Sequence, residues 1–220
     1  MIETKAALIM GAGSPLGRAV ALRLAQDGFA LALCDETEEE LEKIPAELGE
    51  AALCRTYAVC QNEEAAVREL FARLGQEFDH IDALINAQTD TPVKTFAETS
   101  SADIRSAFGS GLIPAMLFTQ SASDWIIRKE IKGRIVNLSS DRAFQASDDS
   151  FIESVTSWAL RGTTRAMAKH LAKKDIKVNA CCVGAVSPEE AAEMVAFLAG
   201  ESNVNITGQN MMVNDSRVMD

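Results

Sequence analysis

Short apolar runs and amphipathic stretches alternate along this chain from end to end. Residues 6–10 form an apolar run that reads as a buried strand, and residues 16–26 carry helical spacing closed by Gly28. The same alternation predicts further strands at 29–34, 52–59, 81–86, 133–138, 176–182 and 210–213. Helices are expected at 38–48 (ended by Gly49), 63–74, 103–128, 151–173 and 188–199. Strand candidates that are apolar on both faces indicate a parallel sheet covered by helices above and below. Joined by right-handed crossovers, such units give a Rossmann-type doubly wound α/β fold, with a seven-stranded parallel sheet in a single domain over 1–220. No linker, low-complexity tract or short repeat breaks the pattern.

Composition narrows the classes of function. The chain has 220 residues, 47% of them apolar, enough to bury one full core. Thirty-two acids against 21 bases leave a net charge of −11, which argues against nucleic acid, because phosphate binding needs clustered cations. Acids such as Glu38, Glu39, Glu40, Glu63 and Glu64 are spread along expected helices and read as a solvated face. No apolar run reaches the ~18 residues of a membrane span. Met1 to Lys5 show no basic region leading into an apolar run, so no secretion signal is expected. Cys34, Cys54, Cys60, Cys181 and Cys182 lack CxxC spacing and read as buried, reduced thiols. With only two histidines, no metal site is expected, and the expected location is the cytoplasm.

The first expected strand runs into Gly11-Ala12-Gly13-Ser14-Pro15-Leu16-Gly17. A glycine-rich turn opening a helix can hold a pyrophosphate on backbone N–H groups and the helix N-terminus. Asp35 closes the second strand, 18 residues after Gly17, where a carboxylate can accept hydrogen bonds from an adenosine ribose and favours NAD over NADP. Together with Asn179-Ala180 and Ile206-Thr207-Gly208-Gln209, this loop resembles the short-chain dehydrogenase/reductase family over essentially the whole chain. The resemblance implies cofactor-binding roles for Gly11, Gly13, Gly17, Asp35 and Asn86. Several departures make that set vestigial. Met10 replaces the family's threonine, and Pro15 replaces its middle glycine, removing an N–H and adding a ring. The NNAG stretch reads Ile85-Asn86-Ala87-Gln88, the adenine-facing aspartate is Val59, and the PG pair is Val183-Gly184. NAD is therefore expected to bind weakly or not at all.

The family's chemistry rests on a tyrosine that moves the substrate proton and a lysine that lowers the tyrosine pKa from near 10. A serine and an asparagine complete the set. Here Ser140 matches the serine, but 13 residues on stands Glu153, and four further stands Ser157. The asparagine position falls at Gly111 or its neighbour Ser110, and the only tyrosine, Tyr57, lies on strand three. No His or Lys stands beside Glu153 to form an obvious proton relay. The family's substrate lid is missing too, since Gly184-Ala185-Val186-Ser187 leads directly into Pro188.

A chain that keeps its core but loses its chemistry is retained for what its surface binds. The resemblance implies a pseudoenzyme subunit that joins a catalytically intact paralogue, with a heterotetramer as the expected assembly. Candidate contact residues are Met116, Phe118 and Trp125 on one long helix, and Met194, Phe197, Met211 and Met212 near the C-terminus. Two other readings stand beside it: a free-standing regulator that senses NAD(H) or binds another protein, and an oxidoreductase with altered chemistry at Glu153.

Overall fold

The computed structural model describes residues 1–49, 52–87, 91 and 93–215. Seven strands, β1 (Ala6–Met10), β2 (Ala30–Asp35), β3 (Cys54–Ala58), β4 (Ala83–Asn86), β5 (Gly133–Ser140), β6 (Ile176–Val183) and β7 (Asn210–Val213), form one sheet. All pair in parallel, in the order β3-β2-β1-β4-β5-β6-β7. The helices are α1 (Pro15–Gln26), α2 (Glu38–Leu41), α3 (Ile44–Leu48), α4 (Glu64–Glu77), α5 (Ser101–Ala107), α6 (Ile113–Arg128), α7 (Phe151–Leu171) and α8 (Pro188–Ala199).

Alternation along each strand divides the core in two. Leu31 and Leu33 of β2 face the layer of α1 and α8, whereas Ala30, Ala32 and Cys34 face α4, α6 and α7. The order of strands reverses between β1 and β4, where Met10 pairs with Asn86. A crevice opens at the carboxyl ends of the strands at such a switch point, and ligands of doubly wound sheets bind there. Among the described residues, no helix is long and apolar enough to cross a membrane.

Five expectations need correction. Residues 38–48 form two short helices, α2 and α3, because Pro45 lacks the N–H that would bond back to Leu41 and its ring crowds that turn. Strand β3 is not apolar on both faces: it is an edge strand, and of its residues only Tyr57 is buried. The long helix expected over 103–128 is interrupted by a π-helical turn at Phe108–Leu112, which contains Gly109 and Gly111. Phe118 and Trp125 are not surface residues: at 0% and 6% exposure they belong to the core, each packed edge-on against Phe71. Of the cysteines, Cys34, Cys181 and Cys182 are buried, but Cys54 is half-buried and Cys60 is exposed.

Candidate functional site

The loop from β1 to α1 is held by the chain itself. The N–H groups of Gly11 and Ala12 both donate to the Cys34 carbonyl, at 2.9 and 3.1 Å. Ser14 caps α1: its hydroxyl accepts from the Gly17 N–H at 3.0 Å and donates to the Gly11 carbonyl at 2.8 Å. Pro15 sits at the first helical position, where its missing N–H does not harm the helix. Gly17 packs so closely on the Gly11 carbonyl that no side chain fits there.

Asp35 does not stand open toward the crevice. Its carboxylate accepts from the Gly13 N–H at 2.7 Å and from the Glu36 N–H at 2.8 Å, and the residue is 5% exposed. Burial raises its pKa, opposed by those two N–H bonds, and the nearby charge of Glu40 raises it further. Glu40, on α2, closes the same corner: a Cβ added to Gly13 would stand 2.5 Å from the Glu40 Cβ. Among the N–H groups of Gly11 to Arg18, that of Leu16 alone has no acceptor among the described residues, and Pro15 has no N–H to offer. As arranged, these residues are a poor fit for a dinucleotide: two N–H groups share the Asp35 carboxylate, Glu40 crowds its corner, and among the described residues a single loop amide is left for a pyrophosphate. Gln88 lies outside the described residues.

Asn86 has a different task from the one expected of it. Strand alternation turns it into the α6–α7 layer, where its amide donates to Asn137 at 2.8 Å and to Thr119 at 3.4 Å. Asn137 in turn donates to Thr164 at 2.9 Å. This buried polar chain ties α6, β4, β5 and α7 together and fixes the elements around the crevice. The Asn86 Oδ1 is buried without a partner among the described residues.

At the carboxyl ends of β5 and β6 a cavity of about 220 Å³ brings together Ser140, Glu153, Ser157 and Gly111. Ser140 ends β5, Glu153 and Ser157 lie one turn apart on α7, and Gly111 comes from the π turn before α6. The Ser140 hydroxyl is used locally, accepting from the Arg142 N–H at 3.2 Å and donating to Asp141 at 3.4 Å. Glu153 is the single ionisable side chain lining the cavity among the described residues, and its carboxylate has no hydrogen-bond partner among them. The cavity can hold a small polar molecule among hydroxyls. Neither serine carries a charge, and no cation lines the cavity among the described residues. Beyond β6, Gly184 to Ser187 lead into α8 through a capping box between Ser187 and Glu190, with no intervening lid.

Sequence reasoning did not single out Glu40. It lies on α2, and its contact with Gly13 joins distant parts of the chain, which no local pattern announces.

The sequence pattern of the family described as short chain dehydrogenase matches residues 5–198. The (2S)-[(R)-hydroxy(phenyl)methyl]succinyl-CoA dehydrogenase subunit BbsC of Thauera aromatica is 29% identical, over 95% of this chain and 92% of its own. The 3-oxoacyl-[acyl-carrier-protein] reductase FabG of Aquifex aeolicus is 28% identical, with 97% of each chain covered. Among solved structures, YwfH, an NADPH-dependent reductase involved in bacilysin biosynthesis, matches with a TM-score of 0.91 over 99% of this chain and 100% of that one. At 21% identity, that likeness is one of fold.

Proposed function

This chain belongs to the short-chain dehydrogenase family, a family of oxidoreductases, and we propose that it serves there as a non-catalytic subunit joined to a catalytically intact paralogue. The observation that carries this reading is the pair Glu153 and Ser157, lining the cavity where the family places its tyrosine and lysine. Moving hydride to or from an alcohol carbon requires a group that gives or takes the oxygen's proton at the same time. A tyrosine tuned by a lysine does this; a carboxylate with no cation beside it and a neutral serine do not replace the pair. Ser140 keeps its place, but its hydroxyl caps the turn after β5. The filled corner at Asp35 and Glu40 supports weak or absent NAD binding.

BbsC is named as a subunit of a dehydrogenase for a hydroxyacyl-CoA, and it covers nearly the whole chain. That supports a partner acting on an alcohol of the hydroxyacyl-CoA type; we further propose that this partner is NAD-dependent and that the assembly is a cytoplasmic heterotetramer. Two surfaces suit such an assembly. An open groove of about 1020 Å³ runs between α4, α6 and α7 beside Met116, which is 42% exposed. On α8, Phe197 is 40% exposed. Purification from the source cells at native abundance is the test. A co-purifying paralogue that carries both the tyrosine and the lysine supports the reading; a stable monomer that turns over substrate by itself overturns it.

One observation favours a second reading, in which the chain has altered chemistry: the unpartnered Glu153 carboxylate faces the same cavity as Ser140 and Ser157. Turnover by the chain alone that is lost in Glu153→Gln would establish it.

A further inference from the structure

At the opposite edge of the sheet from Ser140 lies a second cavity, of about 390 Å³. Its walls come from the residues that lead into the strands: Lys5 before β1, Phe29 before β2, Asp82 before β4, Lys132 and Arg134 at β5, and Asp175 before β6. The end of α8 and Val204 close it.

Arg134 is the unusual member. It is only 9% exposed, and among the described residues its guanidinium makes one hydrogen bond, from Nη1 to the Gly133 carbonyl at 3.1 Å. Its Nε is buried with no partner among the described residues. Lys5 also lacks a carboxylate partner among the described residues; its ammonium lies 4.5 Å from the centre of the Phe29 ring. Two of the cavity's carboxylates are already engaged, Asp175 in part by Lys132 of the same cavity. Asp82 accepts from the Ala6 N–H at 2.7 Å and lies 3.2 Å from His80 Nε2, while Asp175 lies 3.4 Å from Lys177 and 3.9 Å from Lys132. Glu201, the third, is exposed to solvent.

A buried guanidinium donor left without an acceptor is costly, and an arginine fork matches the oxygens of a carboxylate or phosphate. In a chain of net charge −11, two cations without carboxylate partners share one cavity with an apolar wall. We propose that this cavity binds a small organic anion, a carboxylate or a phosphate monoester, held by Arg134 and Lys5 with its apolar part against Phe29 and Val204. The site is separate from the crevice at the carboxyl ends of the strands, so it works whether or not the chain performs chemistry.

The test uses calorimetry with inorganic phosphate and with butanoate, at constant ionic strength in chloride, on the full chain and on Arg134→Gln and Lys5→Gln. Backbone amide shifts locate whichever anion binds. Saturable binding of one of the two, weakened roughly tenfold or more in both variants, with shifts at Ala30, Gly133 and Gly200, supports the site. Tighter binding of phosphate identifies a phosphate site, and tighter binding of butanoate a carboxylate site. If Arg134→Gln fails to fold, Lys5→Gln at the semi-exposed rim decides the question. No binding of either anion, binding undiminished in Lys5→Gln, or shifts confined to the Gly11–Gly17 loop would overturn it.

Discussion

The backbone N–H of Gly13 donates to the Asp35 carboxylate at 2.7 Å, and with that bond the residue expected to meet a ribose is turned onto its own loop. For NAD to bind as it does in doubly wound dehydrogenases, a ribose must share the Asp35 carboxylate with this N–H and Glu40 must leave the corner over Gly13. Calorimetry on the isolated chain should therefore show weak or undetectable NAD binding. Pro15→Gly should improve it by roughly fivefold, the worth of one recovered hydrogen bond of about 1 kcal/mol, and more than any change at Asp35. Micromolar affinity in the unaltered chain would refute the closed corner.

The second prediction concerns chemistry. The isolated chain should not oxidise alcohols or reduce ketones with NAD or NADP. Placing tyrosine and lysine together, as Glu153→Tyr with Ser157→Lys, should not restore turnover, because the loop donors and the lid are still missing. Steady-state assays with a panel of short-chain alcohols and ketones check this, and turnover in the double variant would show that the pair alone was limiting.

The limits of the sequence are physical. Strands β1, β2, β4, β5 and β6 were legible because burial on both faces makes them continuous apolar runs. The extent of β3 was overread, since an edge strand is partly solvated and its end residues carry no burial signal. Phe118 and Trp125 show why an apolar residue on a helix does not reveal its neighbour: Phe71, the ring both of them meet, is about fifty residues away in sequence. Ser140, Glu153, Ser157 and Gly111, picked out through the family resemblance, line one cavity together with Ser110. The engagement of Asp35 could not be read in the sequence, because the N–H it takes from Gly13 comes from a distant part of the chain.

A third prediction follows from the segment in front of that cavity. Lys94 lies 2.7 Å from Asp103, and the Lys94 carbonyl accepts the Phe151 N–H that opens α7, at 3.0 Å. The Lys94 ammonium, with the Ser100 hydroxyl and N–H, holds the Asp103 carboxyl well below the usual carboxylate range. A carboxyl whose pKa is lower folded than unfolded stabilises the fold fully above its unfolded value, near pH 4, and that contribution is lost as the pH falls through the folded value. Asp103→Asn should therefore melt at a lower temperature than the parent at neutral pH, and the gap should narrow below about pH 4. A gap that does not change with pH would show that Asp103 acts without its charge.

The last prediction is assembly with a paralogue. Phe118 and Trp125 are satisfied inside the protein, so they no longer count toward an interface. Met212 is half-buried against the cluster of Ala143, Ala180 and Cys182, and Met194 and Met211 pack partly against the α1–α8 core. Those three sites are therefore poor places to test the surface, because a charge there would also damage the fold. Phe197 on α8, Met116 on α6 and Trp158 on α7 remain, exposed at 40%, 42% and 49%. Large exposed apolar side chains gathered on helices mark interaction surfaces when they form patches, and a permanent interface needs on the order of 2,000 Å². Phe197→Asp and Met116→Asp should each weaken the heteromer on the order of tenfold or more while leaving the melting temperature of the isolated chain nearly unchanged. Sedimentation of the co-expressed pair, beside thermal melts of each variant alone, separates the two effects. Complexes undisturbed by either substitution would move the contact away from α6 and α8, and a chain that stays monomeric beside every co-expressed paralogue would end the subunit reading.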